Sequence, residues 1–148
     1  MAQVIVIEGP DGSGKSTLAK GLAERLQFGY LHNSIPDPID KPYDYWYGRI
    51  MQAIRTNPNG LVIDRLHWSE DVYANLFRGG SKLKDHERWQ LESWLLIHDA
   101  IIIRCLPSWD VAKANVLQHP EAKHHDPVMA AKVYDAFTLP WDTMIPIY

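Results

Sequence analysis

The 148-residue chain has one cysteine, Cys105, so no internal disulfide can staple it. That thiol lies in the apolar run "AIIIRCL", where a buried, unreactive group is expected, and the chain suits a reducing compartment. Long hydrophobic runs are also missing. None approaches the roughly 18 apolar residues of a membrane span, and Met1 leads directly into strand-like sequence without the basic and apolar regions of an export signal. The expectation is a protein of the cytoplasm, with no membrane partner. Positive charge is not in excess either. Lysine and arginine number 15 against 18 acidic residues, a net charge of −3, and the pI is about 6.1. A domain that grips a nucleic-acid backbone by its overall field has a pI above roughly 9, so nucleic acid is disfavoured as a partner, though a local basic face is not excluded. Internal repeats, low-complexity tracts and interdomain linkers are absent as well.

What remains is an ordinary globular composition, 46% hydrophobic and 22% charged, at a length sufficient for one core. One domain spanning residues 1–148 is expected. "QVIVIE" at 3–8 reads as a strand covered on both faces. Lys15 to Leu26 reads as an amphipathic helix, with Leu18, Leu22 and Leu26 recurring and Ala19 and Ala23 beside them. Phe28 to His32 predicts a second strand, and the prolines of "NSIPDPIDKP" forbid regular structure after it. A helix over 43–56 ends at "NPNG", before a third strand at 61–64. Helices over Ser69–Phe77 and Asp85–Ile97 precede a fourth strand in "AIIIRCL". Helices from Trp109 to about Leu117 and from Val128 to Phe137 follow, and "MIPIY" completes the chain as a candidate fifth strand. Strands alternating with helices predict an α/β fold of P-loop type, a mostly parallel sheet of about five strands with helices on both faces.

The segment "GPDGSGKST" fits G-x-x-x-x-G-K-[ST] without mismatch and lies between a strand and a helix, the context the motif requires. Glycines let the backbone wrap with N–H groups pointing inward at phosphate oxygens, and the following helix adds its positive end. Gly9, Pro10, Asp11, Gly12, Ser13, Gly14, Lys15, Ser16 and Thr17 are therefore expected to hold ATP. Lys15 would reach the β- and γ-phosphates and the Ser16 hydroxyl would ligate Mg²⁺. A guanine-reading N-K-x-D is missing, and the chain is short for motor or transporter ATPases, so a small kinase fits best. "LVIDRLHWSE" puts Asp64 and Arg65 at the carboxyl end of the third strand, where open α/β sheets bind ligands. Asp64 is placed to hold the metal and Arg65 to clamp an acceptor phosphate; an ordinary capping pair is the alternative.

"VIEGPDGSGKSTLAKGLAERL" together with "VIDRLHWSE" resembles the thymidylate kinase-like branch of the nucleoside monophosphate kinases, including short phage-encoded members. The resemblance covers residues 3–26 and 60–72. It implies transfer of the ATP γ-phosphoryl to a deoxynucleoside monophosphate, dTMP first, in the cytoplasm (of a host, for a phage protein). It implies that Asp11 reaches the acceptor sugar and that Asp64 and Arg65 contact metal and acceptor phosphate, making Lys15, Asp64 and Arg65 the catalytic set. The family also carries an aromatic residue four positions before an arginine on a helix. Tyr45 and Arg49 in "YWYGR" have that spacing, with Trp46 or Tyr47 as alternatives for stacking on the base. Pairing through helices, as relatives do, makes a homodimer possible.

Two departures stand out. The candidate lid, residues 117–127, contains no arginine, leaving Lys123, or an arginine such as Arg104 or Arg78, to steady the moving phosphoryl group. Its histidines, His119, His124 and His125, fit no metal-ligand spacing. Relatives also continue past the position of Tyr148 into a loop that packs on adenine, so the carboxyl end reads as shortened. Two rival readings share the donor site. One is a kinase acting on 5-hydroxymethyl pyrimidine within phage DNA, with Lys82, Lys84 and Arg88 as its basic face. The other is an ATP-responsive, non-catalytic binding protein whose partner surface is the tryptophan-bearing helix at 85–97.

Overall fold

The computed structural model describes residues 3–33, 41–119 and 126–148. β1 (Gln3–Glu8), β2 (Gly29–His32), β3 (Gly60–Asp64) and β4 (Ile101–Arg104) form one sheet in the order β2-β3-β1-β4. Every pairing is parallel, as the crossover helices between the strands demand. The helices are α1 (Lys15–Leu26), α2 (Pro42–Thr56), α3 (His67–Phe77), α4 (Asp85–Ile97), α5 (Trp109–Gln118) and α6 (Pro127–Thr138). The expected fifth strand reduces to one parallel bridge, Ile102 to Ile147. Around it, Ile102 N–H donates to the Pro146 carbonyl, Tyr148 N–H to Ile102, and Arg104 N–H to Tyr148. Pro146 has no N–H to give and Ile145 faces inward, so the segment pairs along β4 without becoming a ladder.

Strand alternation divides the core. Ile5, Ile7 and Val62 face α1, where Ala19 and Ala23 are buried. Val4, Val6, Leu61, Ile63 and Ile102 face the other way, against Trp46 and Ile50 of α2, Leu91 and Leu95 of α4, and Ile145. Each large side chain sealed this way is worth about 1.5–3 kcal/mol. Of the expected apolar face of α1, Ala19 and Ala23 are buried and Leu22 packs partly buried against the same cluster. Leu18 and Leu26 are exposed, and the alanine face meets the sheet because small residues allow close approach. α3 and α6 join through Val72, Val133 and Phe137.

β1 lies between β3, which continues the sheet toward β2, and β4 on the opposite side. The connections leaving β1 and β3 therefore diverge at the carboxyl end of the sheet, opening a crevice there. Register aligns Ile7 of β1 and His32 of β2 with Asp64 of β3.

Candidate active site

The chain leaves β1 at Glu8 and wraps through Gly9–Gly14 into α1. Gly12 and Gly14 have φ of 78° and 79°, left-handed values that favour glycine. Gly14 is the N-cap residue of α1 and brings no side chain to it, and the first turn holds no acidic residue. The initial amides of the helix and its positive dipole end are thus left for an anion. Lys15 is buried, its Nζ donating to the Pro10 carbonyl at 3.3 Å. Burial first, then the nearby Arg65 charge, lowers its pKa to about 8 against the pull of Asp11 and Asp64. A polyanion placed there would restore the full ammonium charge.

Ser16 Oγ donates to Asp64 Oδ2 at 2.6 Å. The same oxygen accepts from Tyr30 Oη at 2.9 Å and lies 3.1 Å from His32 Nδ1. Burial works against the Asp64 carboxylate, but these bonds outweigh it and hold its pKa below the ordinary value. Asp64 Oδ1 is buried and has no hydrogen-bond partner among the described residues. A hydroxyl beside an ionised carboxylate with a spare buried oxygen is the hard donor set that magnesium takes, so these residues fit the expected ion. No cluster of three or more metal-ligating side chains occurs among the described residues.

Arg65 pairs with Asp11 through Nη2, and Lys15 Nζ is 3.7 Å from the same carboxylate oxygen. Asp11 thereby joins the two cations. The Arg65 guanidinium also lies 5.2 Å from the Tyr73 ring centroid. Burial alone would lower the Arg65 pKa, but Tyr73 and Asp11 outweigh it and raise it. Burial likewise lifts Tyr73 to about 12. Arg49 sits 5.2 Å from the Tyr45 ring, so the i, i+4 pair does share one face of α2. Of the alternatives for base stacking, Trp46 is fully buried and cannot reach a ligand. Tyr47 is taken up in a stack on Tyr43 and an edge contact with Trp94.

Four participants were not read from the sequence. Glu8 is fully buried and accepts from Leu66 N–H at 2.7 Å and from Ser69 N–H and Oγ. Burial raises its pKa to about 7 despite those bonds. A charged residue closing an otherwise apolar strand was the available signal. Tyr73 and Asn33 gave none. Asn115 of α5 donates to the Gly12 carbonyl at 2.9 Å, tying that helix to the phosphate loop.

The substitutes for a lid arginine are held elsewhere. Arg104 donates to the Phe137 and Leu139 carbonyls and packs on Trp141, while Arg78 pairs with Glu70. Lys123, His124 and His125 lie outside the described residues. Of the basic face, Arg88 forms two bonds to Asp71. On α4, Trp89 is exposed, and Glu92 is buried in its place, bonded to His67 and Thr143. No described helix is long and apolar enough to cross a membrane.

No protein-family model matches the chain. Its fold is shared with solved nucleotide-binding proteins. The YorR protein of Bacillus subtilis, solved in complex with phosphorylated GDP, superposes with a TM-score of 0.77 at 19% identity, over 99% of this chain and 84% of that one. Deoxyadenosine kinase from M. mycoides, with the products dCMP and a flexible dCDP bound, gives 0.60 at 12% identity, over 99% and 88%. Among curated proteins, cytidylate kinase of Ureaplasma urealyticum is 38% identical over 58 residues, 39% of this chain and 25% of that protein. Cytidylate kinase of Chlamydia felis is 63% identical over 29 residues, 20% and 13% of the two lengths. The matches thus span a quarter or less of those curated relatives, and the chain has the fold of the nucleotide kinases.

Proposed function

We propose that the chain is a magnesium-dependent P-loop kinase that transfers the ATP γ-phosphoryl group to a deoxynucleoside monophosphate. The observation that carries this reading is the meeting of both halves at one sheet end: Lys15 and Ser16 from the phosphate loop, Asp64 and Arg65 from the end of β3, with Asp11 ion-paired to both cations. Lys15 and the loop amides from Gly9 to Thr17 hold the triphosphate. Ser16 and Asp64 hold magnesium, which neutralises charge between the phosphates. Arg65 and Arg49 receive the acceptor phosphate, Asp11 its sugar, and Tyr45 its base. Two arginines on that side favour a phosphorylated acceptor over a free nucleoside. Lys123 is the candidate lid cation. Positioning and charge neutralisation supply most of the acceleration such a site gives.

dTMP is the first acceptor to test, on the strength of the Asp11 and Asp64-Arg65 motifs. Cytidine monophosphates come second, because the curated proteins with matching segments are cytidylate kinases. A transfer screen with magnesium ATP across the common nucleoside monophosphates, with deoxynucleosides alongside, decides between them. Consumption of ATP with one monophosphate and none with its nucleoside is expected. ATP binding without transfer to any acceptor would overturn the kinase reading.

A further inference from the structure

We infer that Asn33 is a positioning residue that sets both acceptor-side arginines, Arg49 and Arg65, from a single buried amide; the inference rests on the phosphoryl-transfer reading above. Asn33 follows β2 directly and is 1% exposed. Its backbone N–H extends the sheet by donating to the Asp64 carbonyl at 3.0 Å. Its side chain is used at both ends. Nδ2 donates to the Arg65 carbonyl at 3.0 Å, and Oδ1 accepts from Arg49 Nε at 3.3 Å. The orientation of the amide follows from chemistry: a guanidinium only donates and a carbonyl oxygen only accepts, so the reverse rotamer would oppose like groups at both ends.

Arg65 needs such a hold. Its φ is 73°, a left-handed conformation rare for a residue with a side chain. Three bonds fix it there: Arg65 N–H to the Ile7 carbonyl, Leu66 N–H to Glu8 Oε1, and the Asn33 amide to the Arg65 carbonyl. The turn delivers the guanidinium to Asp11 and the face of Tyr73. The other arginine is fixed through the same residue and its neighbour, since Arg49 Nη2 donates to the His32 carbonyl at 3.0 Å. Neither serine nor aspartate reproduces this: serine is too short to span both partners, and aspartate has no donor for the Arg65 carbonyl.

The test is steady-state kinetics on the full chain with the best monophosphate from the screen, for the parent, Asn33→Ala, Asn33→Asp, Arg65→Ala and the Asn33→Ala/Arg65→Ala double variant. For Asn33→Ala, kcat/KM for the acceptor should fall roughly 10- to 100-fold, the scale of an ångström-level misplacement. The KM for ATP should stay within about twofold of the parent. Asn33→Asp keeps the shape and the Arg49 contact but lacks the donor, and should show the Arg65 share of that loss, within about two- to threefold of Asn33→Ala. Because Arg65 carries the larger share of what Asn33 sets, adding Asn33→Ala to Arg65→Ala should cost only about two- to threefold more, the share that passes through Arg49. An acceptor kcat/KM within twofold of the parent, losses that multiply fully in the double variant, or failure of both single Asn33 variants to fold would overturn the inference while leaving the kinase reading intact. A parent that transfers to no monophosphate would remove the reading, and the inference with it.

Discussion

Lys15 carries its charge in a poor solvent, and burial has drawn its pKa to about 8. Removing such a group takes nothing from the core. Lys15→Ala should lower turnover on the order of 10²- to 10³-fold, the loss expected for one preorganised electrostatic contact, with melting within a few degrees of the parent. Paired activity and thermal-melt measurements check this, and near-normal turnover would refute the donor-site assignment. Glu8 gives a prediction of a different kind. Its pKa rises from the ordinary 4.5 to about 7 because burial disfavours the charged form. The stability this supplies is fully present below about pH 4.5 and disappears as the pH climbs through 7. The span corresponds to about 3 kcal/mol. Glu8→Gln keeps an acceptor for Leu66 N–H and has no charge to develop, so its melting temperature should fall less than the parent's between pH 5 and pH 8. Parallel melting profiles would show that Glu8 ionises normally.

Among the elements, α1 shows how far local pattern reaches. Its limits, and those of the other helices and strands, were legible to within a residue or two, because glycine, proline and periodicity act locally. Its buried face was legible only in part. Leu18, Leu22 and Leu26 carry the stronger hydrophobic signal, yet the close spacing between α1 and the sheet buries Ala19 and Ala23, leaves Leu22 partly buried beside them and turns Leu18 and Leu26 to solvent. That spacing belongs to tertiary packing. The loop ahead of α1 offers a direct comparison. A Cβ on Gly12 would stand 2.5 Å from the Ala112 carbonyl oxygen of α5, whereas one on Gly14 meets nothing within 4 Å. Both positions are left-handed, which costs a side-chain-bearing residue about 1–2 kcal/mol. Gly12→Ala adds an overpacking cost of about 1–3 kcal/mol. Urea denaturation should therefore place Gly12→Ala clearly below Gly14→Ala; equal midpoints would mean that α5 yields freely.

At the scale of the molecule, the parallel architecture and the phosphate-loop half of the site were legible because that half is one contiguous motif. The remainder is assembled across the chain. Asn33 to Arg65, Arg65 to Asp11 and Asn115 to Gly12 span 32, 54 and 103 residues, and nothing in the local sequence of Asn33 or Asn115 announces a partner so distant. The fifth strand stops at a single bridge for a related reason: apolar residues mark a segment as sheet-seeking, but Pro146 limits what it can bond. That short segment nevertheless has a consequence for handling the protein. Residues 144–148 lie along β4 and occupy the Ile102 and Arg104 amides. A product clipped before residue 144 would present β4 as a bare flank, an invitation for extended chains to dock and for molecules to clump. Light scattering on freshly cleaved protein should then record growing particles where the intact chain remains clear.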